Sequence, residues 1–106
     1  MPKYLFIGGY TAEGAKGVLK DGGTKRRKAA EEVVGSTGGT LEAIYWAFGE
    51  DDFYLIADLP DHAAAAAASL KVGSSGAIRI RTVVLLTAAD LDAAAELSPA
   101  YRPPGT

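Results

Sequence analysis

Runs of apolar residues along the chain predict four strands separated by helices. Residues 3–11 carry aromatic and branched side chains, and residues 42–48 and 53–58 do so again on either side of the sequence GEDD at 49–52. Residues 77–86 alternate arginine with isoleucine and threonine before becoming wholly apolar. Aromatic and β-branched residues favour strands, while a glycine followed by aspartates favours a tight turn. The middle pair of strands is therefore predicted to form a β-hairpin.

The first helical pattern has two parts. Thr11 is a candidate N-cap for a short helical piece that presents Ala15, Val18 and Leu19 on one side. Residues 21–23 (DGG) interrupt this piece, and residues 24–37 form the main helix, with Thr24 as its cap and two glycines after it. The main helix has an inward-facing stripe at helical spacing, formed by Arg26, Ala29, Ala30, Val33 and Val34.

Two further helices and a tail follow the hairpin. Pro60 and Asp61 begin a helix that runs through alanines from His62 to about residue 71. Residues 87–90 (TAAD) resemble a capping box, which predicts a last short helix up to Leu97. Residues 1–97 are thus expected to form a single domain. Residues 98–106 form a proline-rich tail that is either disordered or laid over a neighbouring subunit.

The order of these elements, β-α-β-β-α-β, predicts an α+β protein with a ferredoxin-like core. Its two helices would cover one face of a four-stranded antiparallel sheet, and a short C-terminal helix would follow. Both faces of the hairpin strands are apolar, whereas a sheet face in water normally carries polar residues. A second sheet is therefore expected to pack on the uncovered face, in a homodimer or larger assembly. The alternative is that the final helix and tail fold back over it.

The composition and charge of the chain argue against several classes of function. A net charge of −2 and the absence of a basic face argue against a nucleic-acid partner, and no segment is long and apolar enough for a membrane span. The chain has no cysteine, which excludes disulfides, thiolate catalysis and cysteine-ligated metals and fits a cytoplasmic location. The apolar run near the N-terminus is too short for a signal peptide. No cofactor or metal motif is present.

Two residues are candidates for proton transfer. His62, the single histidine, follows Asp61 at a helix start, where free amides favour the neutral imidazole that a general base requires. It would otherwise be a solvated residue at the helix N-terminus. Asp52 can orient a base or polarise a substrate, or it can simply cap the hairpin turn. Neither residue has the spacing of a metal site.

Three residues are candidates for ligand binding. Arg26 lies on the apolar stripe of its helix, where a guanidinium must find an anion, a carbonyl or solvent at a cleft mouth; an ion pair within the chain would also satisfy it. Tyr10 ends the first strand, so its hydroxyl is expected to emerge beside Arg26 at the margin between sheet and helices. His62 is a third candidate for the same margin. Trp46 is a possible wall of this pocket, although aromatic residues on strands are commonly plain core.

Several segments resemble the GYD-domain family of small bacterial proteins. They are the opening strand at 4–11 (YLFIGGYT), the pair Lys25-Arg26, residues 49–52 (GEDD) and residues 76–82 (GAIRIRT). The family is named for Gly-x-Tyr-Asp; Gly49 and Asp52 match, and Asp51 stands at the position of the tyrosine. The resemblance implies a fold like the dimeric α/β barrels, whose relatives include cofactor-independent monooxygenases, isomerases and cyclases.

Two functions are compatible with these observations. One is an oligomeric module that binds a small, partly apolar organic ligand without catalysis. The other is a cofactor-independent enzyme of the isomerase, cyclase or monooxygenase type, acting on such a ligand in a pocket between helices and sheet. A closed pocket with convergent polar groups would favour the enzyme, and a filled core with an apolar outer surface would favour the module.

Overall fold

The computed structural model describes all 106 residues and contains four strands and three helices. In chain order these are β1 (Lys3–Tyr10), α1 (Ala12–Ser36), β2 (Thr40–Trp46), β3 (Phe53–Asp58), α2 (His62–Gly73), β4 (Ile78–Leu85) and α3 (Ala88–Ala95). All four predicted strands and all predicted helices are present, with ends that differ by one to two residues for most elements.

The strands form one antiparallel sheet in the order β2-β3-β1-β4. Consecutive strands β2 and β3 form the predicted hairpin, and Ala47 donates its amide to the Asp52 carbonyl at 2.9 Å to close the turn. Strands β1 and β4, far apart in sequence, pair at the other side of the sheet. This order of strands and helices is consistent with the ferredoxin-like fold expected from the sequence.

The hydrophobic core lies between the helices and the inner face of the sheet. Strand β3 contributes Phe53, Leu55 and Ala57 to it, all less than a tenth exposed. The other members are Tyr4, Phe6, Val34, Ile44, Leu59, Ala65 and Ala68. Alternate residues of each strand point to the same side, so burial of this set leaves the intervening residues on the opposite, outer face. Trp46 and Phe53 therefore lie on the helix side of the sheet.

Helix α1 is bent where the sequence predicts an interruption. Gly22 has a φ of +79° and a ψ of 170°, a conformation that glycine adopts without steric cost. The first segment is capped as expected, because the Gly14 amide donates to the Thr11 hydroxyl at 3.2 Å. Thr24, in contrast, makes no capping hydrogen bond, because the second segment already begins at the kink at Gly22 and Thr24 lies inside it.

The inward face of the first segment of α1 differs from the prediction. Ala15 and Leu19 are exposed, and of the expected apolar set only Val18 is partly buried. Gly14 is the buried residue instead, and a Cβ atom built on it would lie 2.0 Å from the Ala77 carbonyl oxygen. The absence of a side chain lets this helix approach the start of β4, which side-chain periodicity alone does not reveal.

The outer face of the sheet is left uncovered by the chain. Its exposed aromatic residues are Tyr45 and Tyr54, which are 73% and 39% exposed and are cross-strand partners in the hairpin. Every residue of α3 and of the tail after it is exposed. The alternative in which the final helix and tail fold back over this face is therefore wrong for this structure.

Replacing Gly14 with alanine is expected to lower the free energy of unfolding by about 1–3 kcal/mol, because the new methyl group collides with backbone rather than with a movable side chain. Gly17, in the same helical segment, has no atom within 4 Å of an added Cβ, so Gly17→Ala should leave stability equal or raise it. Urea denaturation of both variants is the measurement. Equal behaviour of the two would contradict the close approach.

Candidate functional site

A cleft opens between the inner face of the sheet and the two long helices. Its cavity volume is about 90 Å³, and fifteen residues line it, of which Arg26 is the only charged one. The lining includes aromatic residues from the strands and small aliphatic residues from the helices, namely Phe6, Tyr10, Ala29, Ala30, Val33, Val34, Ile44, Trp46, Phe53, Leu55, Ala68, Val72, Ile78 and Ile80. The three residues predicted as ligand-binding candidates thus line the same cleft.

A hydrogen bond joins two of these candidates across the sheet. The Trp46 indole Nε1 donates to the Tyr10 hydroxyl oxygen at 2.9 Å, although β3 lies between the two strands that carry them. The Phe53 ring packs beside Tyr10, with 5.6 Å between the two ring centroids. Because the Tyr10 oxygen accepts from Trp46, its own O–H remains able to donate to a bound group.

The absence of a side chain at Gly8 explains the position of Phe53. The two residues are cross-strand partners, and a Cβ atom on Gly8 would lie 2.0 Å from the Phe53 ring. The ring therefore lies across the glycine and packs beside Tyr10. The sequence contains the signal for this contact in the pair Gly8-Gly9, but periodicity does not show which ring fills the space.

Arg26 begins the part of α1 that follows the bend at Gly22. Its side chain is 31% exposed, and its guanidinium Nη1 lies 3.9 Å from Asp21 Oδ2, on the other side of the bend. An ion pair this long at a partly exposed position contributes little stability. The internal ion pair that was the alternative explanation for Arg26 is therefore weak. Its guanidinium donors remain available to a group bound in the cleft.

A wider outer chamber adjoins the apolar cleft and shares Tyr10 and Arg26 with it. This chamber has a volume of about 360 Å³ and extends beneath the first segment of α1. Its charged lining includes Glu13 and Lys71, in addition to Asp21. Lys71, in the last turn of α2, was missed by the sequence reasoning. Four charged residues therefore line this chamber, whereas Arg26 is the only charged residue of the inner cleft.

Asp52 does not line the cleft but holds its aromatic edge in place. Its carboxylate Oδ2 accepts a hydrogen bond from the Tyr10 backbone amide at 2.7 Å, and its own amide donates to the Gly8 carbonyl at 2.8 Å. The carboxylate thus binds the end of β1 rather than capping its own hairpin turn. This contact fixes the backbone from which the Tyr10 side chain projects.

His62 lies away from the cleft, which corrects the suggestion that it joins Tyr10 and Arg26. Its Nδ1 is 2.7 Å from the hydroxyl oxygen of Tyr4, near the opposite end of β1, and the two rings meet edge to face. Tyr4 is only 1% exposed, and a buried hydroxyl needs a hydrogen-bond partner. In this structure the His62 imidazole is the hydrogen-bond partner of the Tyr4 hydroxyl.

A cluster of charged residues lies across β1, β2 and β3. Lys3 forms ion pairs with Glu42 and, at 3.0 Å, with Asp58. The hydrogen bond with Glu42, followed by that with Asp58, raises the pKa of Lys3 above its ordinary value. Any stabilisation from this shift is present at neutral pH and is lost only as the pH rises through the raised value. The cluster ties three strands together at their ends.

Comparison with known proteins identifies the family. Residues 4–95 match the model of the GYD domain, and the chain therefore belongs to this family. A comparison with curated proteins finds no significant match. Among solved structures, a protein of unknown function from Nitrosomonas europaea is similar at 20% identity, with a TM-score of 0.44 over 82% of this chain and 91% of that one.

Asp51 occupies the position at which the family name places a tyrosine. In the structure its carboxylate Oδ2 lies 3.1 Å from the Arg81 guanidinium, an ion pair between the hairpin turn and β4. It is not among the residues that line the cleft. Here this position supports the sheet and does not contribute a phenol to the cleft.

No three His, Cys, Asp or Glu side chains are grouped so that they could hold a metal ion. None of the helices combines the length and the apolar character that crossing a membrane requires.

The contact between Tyr4 and His62 can be tested by a double-mutant cycle. His62→Ala is expected to destabilise the protein by about 1–2 kcal/mol, because the Tyr4 hydroxyl loses its partner. Tyr4→Phe removes the hydroxyl itself, so the double variant should be about as stable as the less stable single variant. Urea denaturation of all four proteins measures the coupling. Strictly additive losses would show that the two side chains do not interact.

Proposed function

We propose that this chain is an oligomeric protein that binds a small organic ligand in the cleft. The ligand has an apolar body and an anionic or carbonyl group. One observation carries the proposal: a single arginine lies on a cleft wall that is otherwise free of charge, and its nearest carboxylate is 3.9 Å away. The apolar walls would hold the body of the ligand, while Arg26 would bind its polar group.

Arginine suits this task because its guanidinium presents planar, fixed donors. It can form two parallel hydrogen bonds with a carboxylate, and it remains charged at any physiological pH. The loose pair with Asp21 is weak enough for a ligand anion to replace it. A close, fully formed ion pair at this position would instead have supported a structural role for Arg26.

Tyr10 supplies a second polar contact of defined direction. Its hydroxyl oxygen accepts from the Trp46 indole at 2.9 Å, so its proton can be donated to a carbonyl or carboxylate oxygen of the ligand. Asp52 fixes the backbone of the same residue. Arg26 and Tyr10 lie on opposite layers of the cleft, so together they would orient a ligand between helix and sheet.

The dimensions of the cleft limit the ligand. The inner space of about 90 Å³ is smaller than a cavity of about 150 Å³ that admits benzene, so a ring entering it must displace side chains or extend outward. The outer chamber of about 360 Å³ offers room for such an extension. An elongated molecule would fit better than a compact one, with its apolar end inside.

A cofactor-independent enzyme of the isomerase, cyclase or monooxygenase type is the second candidate. The free proton of the Tyr10 hydroxyl favours it, since a donor held beside a bound carbonyl can stabilise a developing oxyanion. His62 and Asp52 are engaged elsewhere, so catalysis would depend on Tyr10 and Arg26. NMR spectroscopy of a ligand recovered after incubation separates the two, because a binding protein returns it unchanged, whereas an isomerase or cyclase returns a product of equal mass with a different spectrum.

We further propose that the chain forms a homodimer through the outer face of its sheet. The exposed pair Tyr45 and Tyr54 lies on this face together with Ile56 and Val83. An apolar surface of this kind is stabilised when a second copy covers it, as in the dimeric α/β barrels that the fold of the GYD-domain family resembles. No nucleic-acid or membrane partner is proposed, and a cytoplasmic location stays a prediction from the lack of cysteine.

The role of Arg26 can be measured with two matched probes, 3-phenylpropionate and 3-phenylpropan-1-ol. Trp46 is the only tryptophan, so its indole N–H gives one resonance that reports binding in the cleft. Arg26→Ala should weaken binding of the carboxylate by about tenfold and that of the alcohol much less, because only the carboxylate loses a charge-assisted hydrogen bond. Arg27→Ala, its exposed neighbour, is the control and should change neither.

Two results would contradict this proposal. One is that neither probe shifts the Trp46 resonance. The other is that Arg26→Ala lowers thermal stability as much as it weakens binding, which would assign Arg26 a structural role.

The dimer predicts a solution mass of about 22 kDa, twice the 10.9 kDa of one chain, in light scattering at micromolar concentration. Tyr45→Asp/Tyr54→Asp should shift the mass towards that of one chain without unfolding it, because both side chains are already exposed in the single chain. Leu19→Asp, at an exposed position on α1, is the matched control and should remain dimeric. A mass of about 11 kDa for the unaltered protein would rule the dimer out.

A further inference from the structure

The C-terminal arm, residues 86–106, leaves the domain without packing against it. All of its residues are exposed, including Leu91 at 59%, Leu97 at 78% and Tyr101 at 75%. The whole chain measures 57 × 33 × 22 Å, and its radius of gyration is 16.9 Å, compared with about 13 Å for a compact chain of this length. The arm is therefore an extension, and its apolar side chains have no partner in their own chain.

The helix within the arm, α3, nevertheless has a strong start signal in its sequence. The Thr87 hydroxyl accepts from the Asp90 amide at 3.1 Å, and the Asp90 carboxylate accepts from the Thr87 amide at 2.9 Å, a complete capping box. Helices shorter than about twelve residues are marginal in water unless an apolar face packs against something. A capped eight-residue helix with Leu91 exposed therefore needs a docking surface outside its own chain.

Charge indicates where that surface lies. The arm carries three acidic residues, Asp90, Asp92 and Glu96, and one basic residue, Arg102. The N-terminal part of β4 presents two exposed arginines on the outer face of the sheet, at a shallow depression of about 200 Å³. These are Arg79, which forms no ion pair, and Arg81, which pairs with Asp51. The acidic arm is complementary to this basic end of the sheet.

We infer that the arm of each copy binds the outer sheet face of the partner, with Asp92 and Glu96 next to the partner's Arg79. The inference rests on the proposed dimer. Such a dimer can form with the two sheets face to face and the twofold axis lying between them, perpendicular to the strands. In this arrangement the C-terminal end of β4 in one copy lies opposite the N-terminal end of β4 in the other. The arm that follows Leu85 then reaches the two arginines across the interface. Leu91 would bury its side chain against the partner.

The lack of cysteine allows a direct test with full-length chains. Chains carrying D92C alone are mixed with chains carrying R79C alone, and the mixture is oxidised mildly and separated without reductant. A covalent pair of about 22 kDa, well above the amount formed by either variant alone, is the expected result. Mixing D92C with A67C, which places the second cysteine on the exposed side of α2, should give no such pair.

The outcomes separate the arm from the dimer. If light scattering finds single chains of the unaltered protein, both proposals fail. If it finds dimers and the D92C and R79C chains do not cross-link, the arm inference fails and the dimer stands. A doubly substituted D92C/R79C chain that closes a bond within itself at concentrations where dimers persist would likewise overturn the inference, since the arm would then lie on its own sheet.

A charge exchange gives an independent measurement. D92K and R79E should each raise the dissociation constant of the dimer about tenfold, because each places like charges together, and the combination D92K/R79E should restore much of the loss. K16E, an exposed charge reversal on α1, should have no effect. Losses that simply add in the combined variant would show that these two positions do not meet.

Discussion

Burial of the inner face of β3 is the interaction on which the other features of this molecule depend. The strand lies between β2 and β1, and Phe53, Leu55 and Ala57 reach the middle of the core from it. Each is less than a tenth exposed, and burying a large apolar side chain contributes roughly 1.5–3 kcal/mol. Phe53 does more than fill space, since its ring over Gly8 also supports Tyr10.

The cleft exists because the residues that face this surface from the helices are small. Ala29, Ala30 and Ala68 lie opposite the large aromatic and branched side chains of the strands, so the two layers do not meet completely. A core packed to ordinary density would have larger residues at these positions. The binding space therefore originates in the choice of alanine on the helices, and Arg26 stands at the end of the same stripe.

The order of the elements could be predicted because it depends on local patterns. Apolar alternation marks the strands, Gly22 and Gly23 mark the bend in α1, and Thr87 with Asp90 marks the start of α3. The placement of Arg26 on an inward-facing stripe follows from helical periodicity alone, and the structure places Tyr10 and Trp46 in the same cleft. Tyr10 and Trp46 share this location because each ends a strand, and both strand ends could be predicted from the sequence.

Other contacts could not be predicted, because they join residues that only the tertiary fold brings together. His62 looked like a free imidazole at a helix start, yet Tyr4, 58 positions away in sequence, occupies its Nδ1. Asp52 looked like a turn cap, and it binds the end of another strand. Gly14 has no side chain to appear in an apolar pattern, and it is the point of close approach between α1 and the start of β4.

The bend at Gly22 resolves a mismatch of lengths. A straight helix of 25 residues is about 38 Å long, whereas strands of eight residues extend only about 27 Å, so an unbroken α1 would overshoot the sheet by about one-third of its length. With the bend, the excess turns back against Ala77 and becomes the roof of the outer chamber. The length of the segment before Gly22 therefore determines how far this roof extends over the chamber.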